Sequence, residues 1–81
     1  MRVTIRLFAV HRETAGKSTF AADLPDGATV ADAFARLCDE YPGIRAGARS
    51  VAFAVNRAHA SEGDRLRDGD EVAFLPPVAG G

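Results

Sequence analysis

A single segment with helical periodicity, flanked on both sides by segments with strand periodicity, is the feature that most restricts the fold of this chain. Thr29 precedes the helical segment as a candidate N-cap, with Asp32 three residues further on, and Pro42 and Gly43 end it. Its apolar side chains recur at three- and four-residue steps, at Val30, Ala33, Phe34, Leu37, Cys38 and Tyr41. The pattern predicts one amphipathic helix of about three turns with one apolar face to bury.

The segments around this helix alternate between apolar and polar residues, which is typical of strands with one buried face. In the first segment, positions 2–10, Phe8 lies on one face. The opposite face of that segment carries Val3, Ile5, Leu7 and Ala9. Similar alternation follows at positions 18–24, 51–57 and 71–76, and turn sequences lie at 25–27, 62–64 and 68–70. A helical turn fits the polar loop between the first two strands, and another fits Ile44 to Ala48.

Two strands, one helix and two or three further strands predict an α+β fold, a mixed sheet with the helix packed across one face. This is the element order of a β-grasp domain, in which the first and last strands are parallel neighbours at the centre of the sheet. The length of 81 residues allows one modest core and one domain. We expect that domain to span residues 1–75 and a flexible, extended tail to span residues 76–81.

Charge and cysteine content exclude several classes of function. The net charge is −1 and the ten lysines and arginines form no cluster, so neither nucleic acid nor membrane is an expected partner. No apolar run is long enough for a signal peptide or a membrane span. Cys38 is the single cysteine, which excludes an internal disulfide and fits the cytoplasm. His11 and His59 lack ligand spacing, so both are expected at the surface and no metal site is predicted.

The C-terminal sequence "FLPPVAGG" predicts a projecting, reactive end. Pro76 and Pro77 lack amide donors and have a fixed φ, so the last strand must stop pairing there. The six residues from Pro76 onward reach roughly 20 Å when extended. Gly80 and Gly81 have no Cβ and fit a channel too narrow for side chains. The unhindered carboxylate of Gly81 is one that ATP can convert to an acyl-adenylate, from which a sulfur donor or an amine displaces AMP.

Three segments carry a resemblance to a known family. "FAVHRETAG" at positions 8–16, "NR" at 56–57 and "DGDEVAFLPPVAGG" at 68–81 resemble the small, sulfur-carrier subunit of molybdopterin synthase, a ubiquitin-like β-grasp family. The likeness extends over nearly the whole chain in length and element order, and the ending is its most specific part.

The resemblance implies a function for Gly81 and a set of partners. A ubiquitin-activating-type adenylyltransferase would use ATP to adenylate Gly81, and a persulfide protein would supply sulfur for a thiocarboxylate. The tail would then enter the large synthase subunit and give sulfur to cyclic pyranopterin monophosphate. The chain itself would bind no cofactor and would be a non-catalytic subunit, with the acid and base groups in the large subunit of a heterotetramer.

Candidate site residues follow from the tail and from the predicted sheet. Gly81, with Gly80, is the predicted carrier of the acyl-adenylate and thiocarboxylate. Phe8 and Leu75 are expected side by side on the outer face of the sheet, as an apolar surface for the large subunit beside the tail. The other predicted partner-binding residues are His59, Pro76, Pro77, Val78 and Ala79.

Other interpretations of the same residues stay open. The Gly-Gly end also suits a sulfur carrier for thiamine or cysteine synthesis, a ubiquitin-like protein modifier that forms isopeptides, or a simple interaction module. The acidic turn from Asp68 to Glu71 forms either a plain turn or a contact for a basic surface on the activating enzyme. Arg12 and Glu13 either order their loop or line the interface.

Overall fold

The computed structural model describes residues 1–47 and 52–75. Its strands are β1 (Arg2–Leu7), β2 (Thr19–Asp23), β3 (Ala52–Val55), β4 (Ala58–Ala60) and β5 (Glu71–Leu75), and its helices are α1 (Ala9–Ala15), α2 (Val30–Glu40) and α3 (Pro42–Gly47). The strands form one sheet in the order β2-β1-β5-β3-β4. β1 and β5 are parallel, whereas the other neighbours are antiparallel. The predicted β-grasp arrangement is confirmed, with β5 between β1 and β3.

The predicted helix forms as α2, with the predicted N-cap. Thr29 N donates to Asp32 Oδ2 at 2.9 Å, and Asp32 N donates to Thr29 Oγ1 at 3.3 Å, which is a complete capping box. The predicted apolar face packs on the sheet, with Val30, Ala33, Leu37 and Cys38 buried. The apolar periodicity and the capping box predict a helix at the same residues, so the local sequence is sufficient to define it.

The chain does not enter a loop after α2, because α3 begins at once. Pro42 stands at the first position of α3, where its missing amide donor costs nothing. Residues 44–47 of the predicted turn are therefore part of a six-residue helix that begins two residues earlier. Ile44 is buried in the core. Ala48, like Val51 in the predicted third strand, lies outside the described residues.

The first strand is shorter than predicted, because it ends at Leu7. Phe8 keeps an extended backbone, but its carbonyl accepts from His11 N at 3.0 Å and from Arg12 N at 3.4 Å, which starts α1. Ala9 has a φ of +47° at the point where the chain turns. The prediction that Ala9 shares the buried face of the strand is therefore wrong. Alternation over only three further residues did not outweigh the helix-forming segment that follows.

Phe74 of β5 is at the centre of the core and is fully buried. Its ring makes edge-to-face contacts with Phe34 of α2 and Phe53 of β3, at centroid distances of 5.1 and 5.7 Å. Such pairs contribute about 0.5 to 1.5 kcal/mol beyond the apolar area that they bury. These contacts fix Phe74, the residue before Leu75, and they therefore also fix the point at which β5 ends. None of the helices in the described ranges is long and apolar enough to cross a membrane.

Candidate functional site

The last strand ends in the middle of the sheet. Leu75 is the final residue of β5, and it pairs with Ala52 of β3. One residue earlier, Phe74 pairs with Leu7 of β1 on the other side. The chain therefore leaves the domain from a strand that is held by hydrogen bonds on both edges. The residues that follow, 76–81, lie outside the described residues.

Three large apolar side chains are exposed around this point, and we call them the docking patch. Phe8 is 37 %, Val10 52 % and Leu75 38 % exposed. Leu7 and Phe74 are partners in the parallel ladder, so Phe8 and Leu75 follow from neighbouring strands at the same end of the sheet. Exposed apolar side chains grouped near one point indicate an interaction surface.

The docking patch contains one residue more than the predicted surface. Phe8 follows the last residue of β1 with an extended backbone, so its side chain alternates with that of the buried Leu7, and it is also the N-cap residue of α1. Val10 was not among the predicted partner-binding residues, because a strand that continued through position 10 gave no reason to select it. A short helix after Leu7 turns Val10 outward, and the helix-forming run from position 9 to 15 is the sequence signal that was available for it.

Small side chains form the outer face of the sheet beside Leu75. The register places Ala52 opposite Leu75 and Ala54 opposite Ala73, so the three alanines share a face with Leu75. His59 is opposite Ala54 and is exposed on the same face, on the far side of β3 from β5. The structure thus puts Leu75 and His59 on one surface, with His59 at its margin. Alanines leave this surface flat, and a partner can approach the backbone closely there.

Charged side chains on the outer face of the sheet form pairs with one another. Arg6 Nε lies 3.0 Å from Glu71 Oε2, and Arg2 Nε lies 2.9 Å from Asp23 Oδ1. The hydrogen bond from Arg2 lowers the pKa of the Asp23 carboxyl. Exposed pairs of this kind contribute little stability because water and salt screen them. In each pair a positive charge on β1 lies beside a negative charge on β2 or β5, so the two charges partly neutralise each other.

The acidic turn before β5 is held by Asn56, at the end of the sheet opposite the docking patch. Asn56 has a φ of +50° and forms a tight turn with Arg57, whose φ is +70°. Its side chain donates to Asp70 Oδ1 at 3.0 Å and accepts from Glu71 N at 3.0 Å. Asp68 Oδ1 accepts from the backbone N of Arg2 at 2.7 Å. The carboxylates of Asp68 and Asp70 thus have partners inside the fold, which favours the interpretation as a turn.

We expect Asn56→Ala to lower the free energy of unfolding by about 1 to 3 kcal/mol, from two lost hydrogen bonds and the cost of a positive φ for alanine. Asn56→Gly is the matched control, because glycine accepts the backbone conformation and loses only the side-chain bonds. Urea denaturation of the three chains separates the two contributions. Equal midpoints for Asn56→Ala and the natural chain would contradict this role of Asn56.

His11 is not at the surface, and this prediction from the sequence is wrong. Its side chain is 2 % exposed, and its Nδ1 atom is buried with no hydrogen-bond partner among the described residues. Burial lowers the pKa of the imidazole, while the backbone carbonyl of Phe74 acts in the opposite direction. Nothing in the sequence indicates that α1 turns His11 inward, because the polar residues next to it in the chain are exposed.

Acid is expected to destabilise the domain through His11. The unfolded chain gains a proton near the ordinary pKa of 6.5, whereas the folded chain stays neutral to a lower pH. The free energy of unfolding should therefore fall as the pH drops below the ordinary pKa, by at most about 1.4 kcal/mol per pH unit from this group, until the folded pKa is passed. Denaturation of the natural chain and of His11→Val at several pH values measures the difference. Equal pH dependence of the free energy of unfolding in the two chains would contradict this effect of His11. His59 is present in both chains and cannot cause a difference between them.

The remaining predicted site residues are not placed by the structure. Pro76, Pro77, Val78, Ala79, Gly80 and Gly81 all lie outside the described residues. Within residues 1–47 and 52–75, no group of three or more histidine, cysteine, aspartate or glutamate side chains is arranged to hold a metal ion. The described part of the site is thus an apolar surface at the end of β5.

Comparisons with known proteins extend over nearly the whole chain. The model of the ThiS family matches residues 5–81. A molybdopterin synthase sulfur carrier subunit from Chlamydomonas reinhardtii is 35 % identical over 83 residues, and the match covers 100 % of both chains.

Two solved structures of differently named proteins show the same fold. Small archaeal modifier protein 1 from Haloferax volcanii superposes with a TM-score of 0.89 and 29 % identity, over 95 % of this chain and 98 % of that one. A chain in the complex of subunits 1 and 2 of the molybdopterin-converting factor from Helicobacter pylori has a TM-score of 0.70 and 26 % identity, over 100 % of both chains. The fold is therefore the ubiquitin-like β-grasp fold that the element order predicts.

Proposed function

The chain belongs to the ThiS family, and on this premise we propose that it is the sulfur-carrier subunit of a molybdopterin synthase. The observation that carries the proposal is the match, over the full length of both chains, with a relative of that name. The apolar surface at the end of β5 supports it, because a carrier must present its C-terminus and a contact surface to a partner together.

In the proposed reaction the carboxylate of Gly81 is the group that changes. An activating adenylyltransferase joins it to AMP from ATP with release of pyrophosphate. The outer sulfur of a persulfide donor then displaces AMP and forms an acyl disulfide. A thiol cleaves this disulfide, becomes part of a new disulfide itself, and leaves the thiocarboxylate.

The thiocarboxylate is an anion with a nucleophilic sulfur, which attacks cyclic pyranopterin monophosphate bound by the large subunit. The attack joins Gly81 to the pterin through a thioester, and hydrolysis of its acyl–sulfur bond leaves the sulfur on the pterin and returns the carboxylate of Gly81. Two such rounds supply the two sulfurs of the dithiolene.

The contribution of this chain is delivery rather than acid or base catalysis. A soft, ionised sulfur nucleophile needs to be positioned, and holding it beside its target replaces an encounter in solution. The reach of roughly 20 Å for six extended residues lets the domain remain outside the pocket that its end enters. We assign ATP to the activating enzyme and the acid and base groups to the large subunit, with residues 1–75 as the folded body and 76–81 as the tail.

The docking patch is the proposed contact with the large subunit. A relative of known structure is in complex with its second subunit, which supports such a partner for this chain. Phe8 and Leu75 are already more than half buried in the free domain, so burial of the remaining exposed part of either side chain would stabilise the complex by about 0.5 to 1 kcal/mol. His59 and the residues from Pro76 to Ala79 would extend the contact toward the margin and along the tail. We also propose a heterotetramer that acts in the cytoplasm, with two copies of each subunit.

A protein modifier is the second candidate function, and the likeness to small archaeal modifier protein 1 favours it. In that function an amine rather than sulfur displaces AMP from Gly81, and the product is an isopeptide on another protein. The activation step and the need for a slender end are the same. The two functions therefore differ in the fate of one acyl-adenylate.

Mass spectrometry of the chain and of the cell's proteins separates the two functions. A sulfur carrier isolated from its cells shows a C-terminal peptide whose mass corresponds to replacement of one oxygen of Gly81 by sulfur. A modifier leaves remnants of its own C-terminus on lysines of other proteins. Cells that show such remnants and no sulfur-bearing form of Gly81 would overturn the proposed carrier function.

A further inference from the structure

The helix α1 carries Val10 and follows Phe8, its N-cap residue. All seven of its residues are described, and His11 is the one that is buried. An isolated helix of this length is unstable in water, so its position depends on contacts with the rest of the domain. Of these contacts, those of His11 reach deepest, because its imidazole is 2 % exposed and interacts with the backbone carbonyl of Phe74.

His11 thereby connects two parts of the docking patch. Its backbone N donates to the carbonyl of Phe8 at 3.0 Å, at the start of α1. Its side chain lies against Phe74, the residue before Leu75. Val10 is the neighbour of His11 in the chain and points outward where His11 points inward. A displacement of the imidazole would therefore move Phe8 and Val10 relative to Leu75.

Within the described residues, no carboxylate acts on the imidazole of His11 to stabilise an imidazolium. Arg12 and Glu13, beside it on α1, are exposed. Arg6 of β1 and Glu71 of β5 pair with each other on the outer face of the sheet. The described side chains of α3 are Pro42, Gly43 and Ile44, which carry no charge. Protonation would place a second donor at the buried Nδ1 atom, which has no partner among the described residues.

We propose that His11 is a positioning residue for docking: its neutral imidazole holds α1 against the end of β5, and protonation releases α1 and separates Phe8 and Val10 from Leu75. The inference rests on the proposed function insofar as it assigns the docking patch to the large subunit. The effect on the patch itself belongs to the isolated chain and is measured there. At neutral pH the patch is assembled, and in acid it is not.

The first test follows the isolated chain by nuclear magnetic resonance while the pH is lowered. The amide signals of Phe8, Val10 and Leu75 are expected to shift with the midpoint of the His11 imidazole signal. His59→Gln is the matched control, because it removes the exposed imidazole and should leave these shifts in place. His11→Val should abolish them. Patch signals that stay constant while His11 titrates in the natural chain would overturn the proposal, whether or not His11→Val folds.

The second test measures the affinity for the large subunit at pH values on both sides of the His11 midpoint. We expect the affinity of the natural chain to fall at least tenfold relative to that of His11→Val, with the same large subunit as a common reference. Equal pH dependence for both chains would contradict the role of His11. Absence of binding by both chains at neutral pH would instead overturn the proposed docking, and the resonance experiment would still decide the role of His11.

Discussion

Deletion of Gly81 is expected to reduce sulfur transfer to the pterin by at least about 100-fold, because a displacement of even 1 Å at a reacting centre can cost that much. Removal of one residue withdraws the terminal carboxylate by roughly 3.3 Å. The activating enzyme then meets a carboxylate in the wrong place, and the large subunit meets a tail that is too short. The free energy of unfolding should not change, since the last residue of the described core is Phe74.

The measurement is a reconstituted reaction with the activating enzyme, the sulfur donor and the large subunit, with the rate of pterin conversion as its readout. Gly80→Ala is the matched control, because it keeps the length and the terminal carboxylate and adds one methyl group. We expect its rate to lie between those of the natural and the shortened chain. Full activity of the shortened chain would mean that Gly81 does not carry the sulfur.

The double variant Phe8→Asp with Leu75→Asp is expected to abolish measurable binding to the large subunit. Loss of the additional burial of one such side chain costs about 0.5 to 1 kcal/mol, which is roughly a two- to sixfold loss of affinity. Two losses together, with two carboxylates brought into an apolar contact, exceed that range. Each single variant should show part of the effect.

The fold should tolerate both substitutions. Phe8 is the N-cap residue of α1 and makes no side-chain cap hydrogen bond. Aspartate is among the preferred residues at such a position, so Phe8→Asp should support the helix. Ala31→Asp is the control, since it adds a carboxylate to the first turn of α2, away from the docking patch. Binding that is equally weak in Ala31→Asp and the double variant, or unchanged in the double variant, would remove the patch from the interface.

The elements that the sequence predicts well are those in which a short-range pattern and its end signals agree. For α2, the apolar steps, the capping box and Pro42 all point to one helix, and the structure has it. The end of β1 is different, because Phe8 and Ala9 continue the alternation and the switch to α1 depends on a turn at Ala9 with positive φ. An alanine in that conformation has no sequence signal, since tertiary contacts impose it.

The sequence predicts individual residues of the candidate site but not how they are arranged in space. The exposure of Leu75 follows from strand periodicity and is confirmed. The exposure of Val10 and the burial of His11 follow from the direction of α1, which alternation alone does not reveal. The roles of Gly80 and Gly81 rest on the chemistry of a slender carboxylate end and stay predictions.

The central position of β5 also has a mechanical consequence. A pull on the chain beyond Leu75 acts along a strand that is bonded to β1 on one edge and to β3 on the other. Such a load is a shear, which the bonds of both ladders resist together, whereas an edge strand can be peeled away one bond at a time. A partner that grips the end of this chain can therefore draw on it with considerable force before the body gives way.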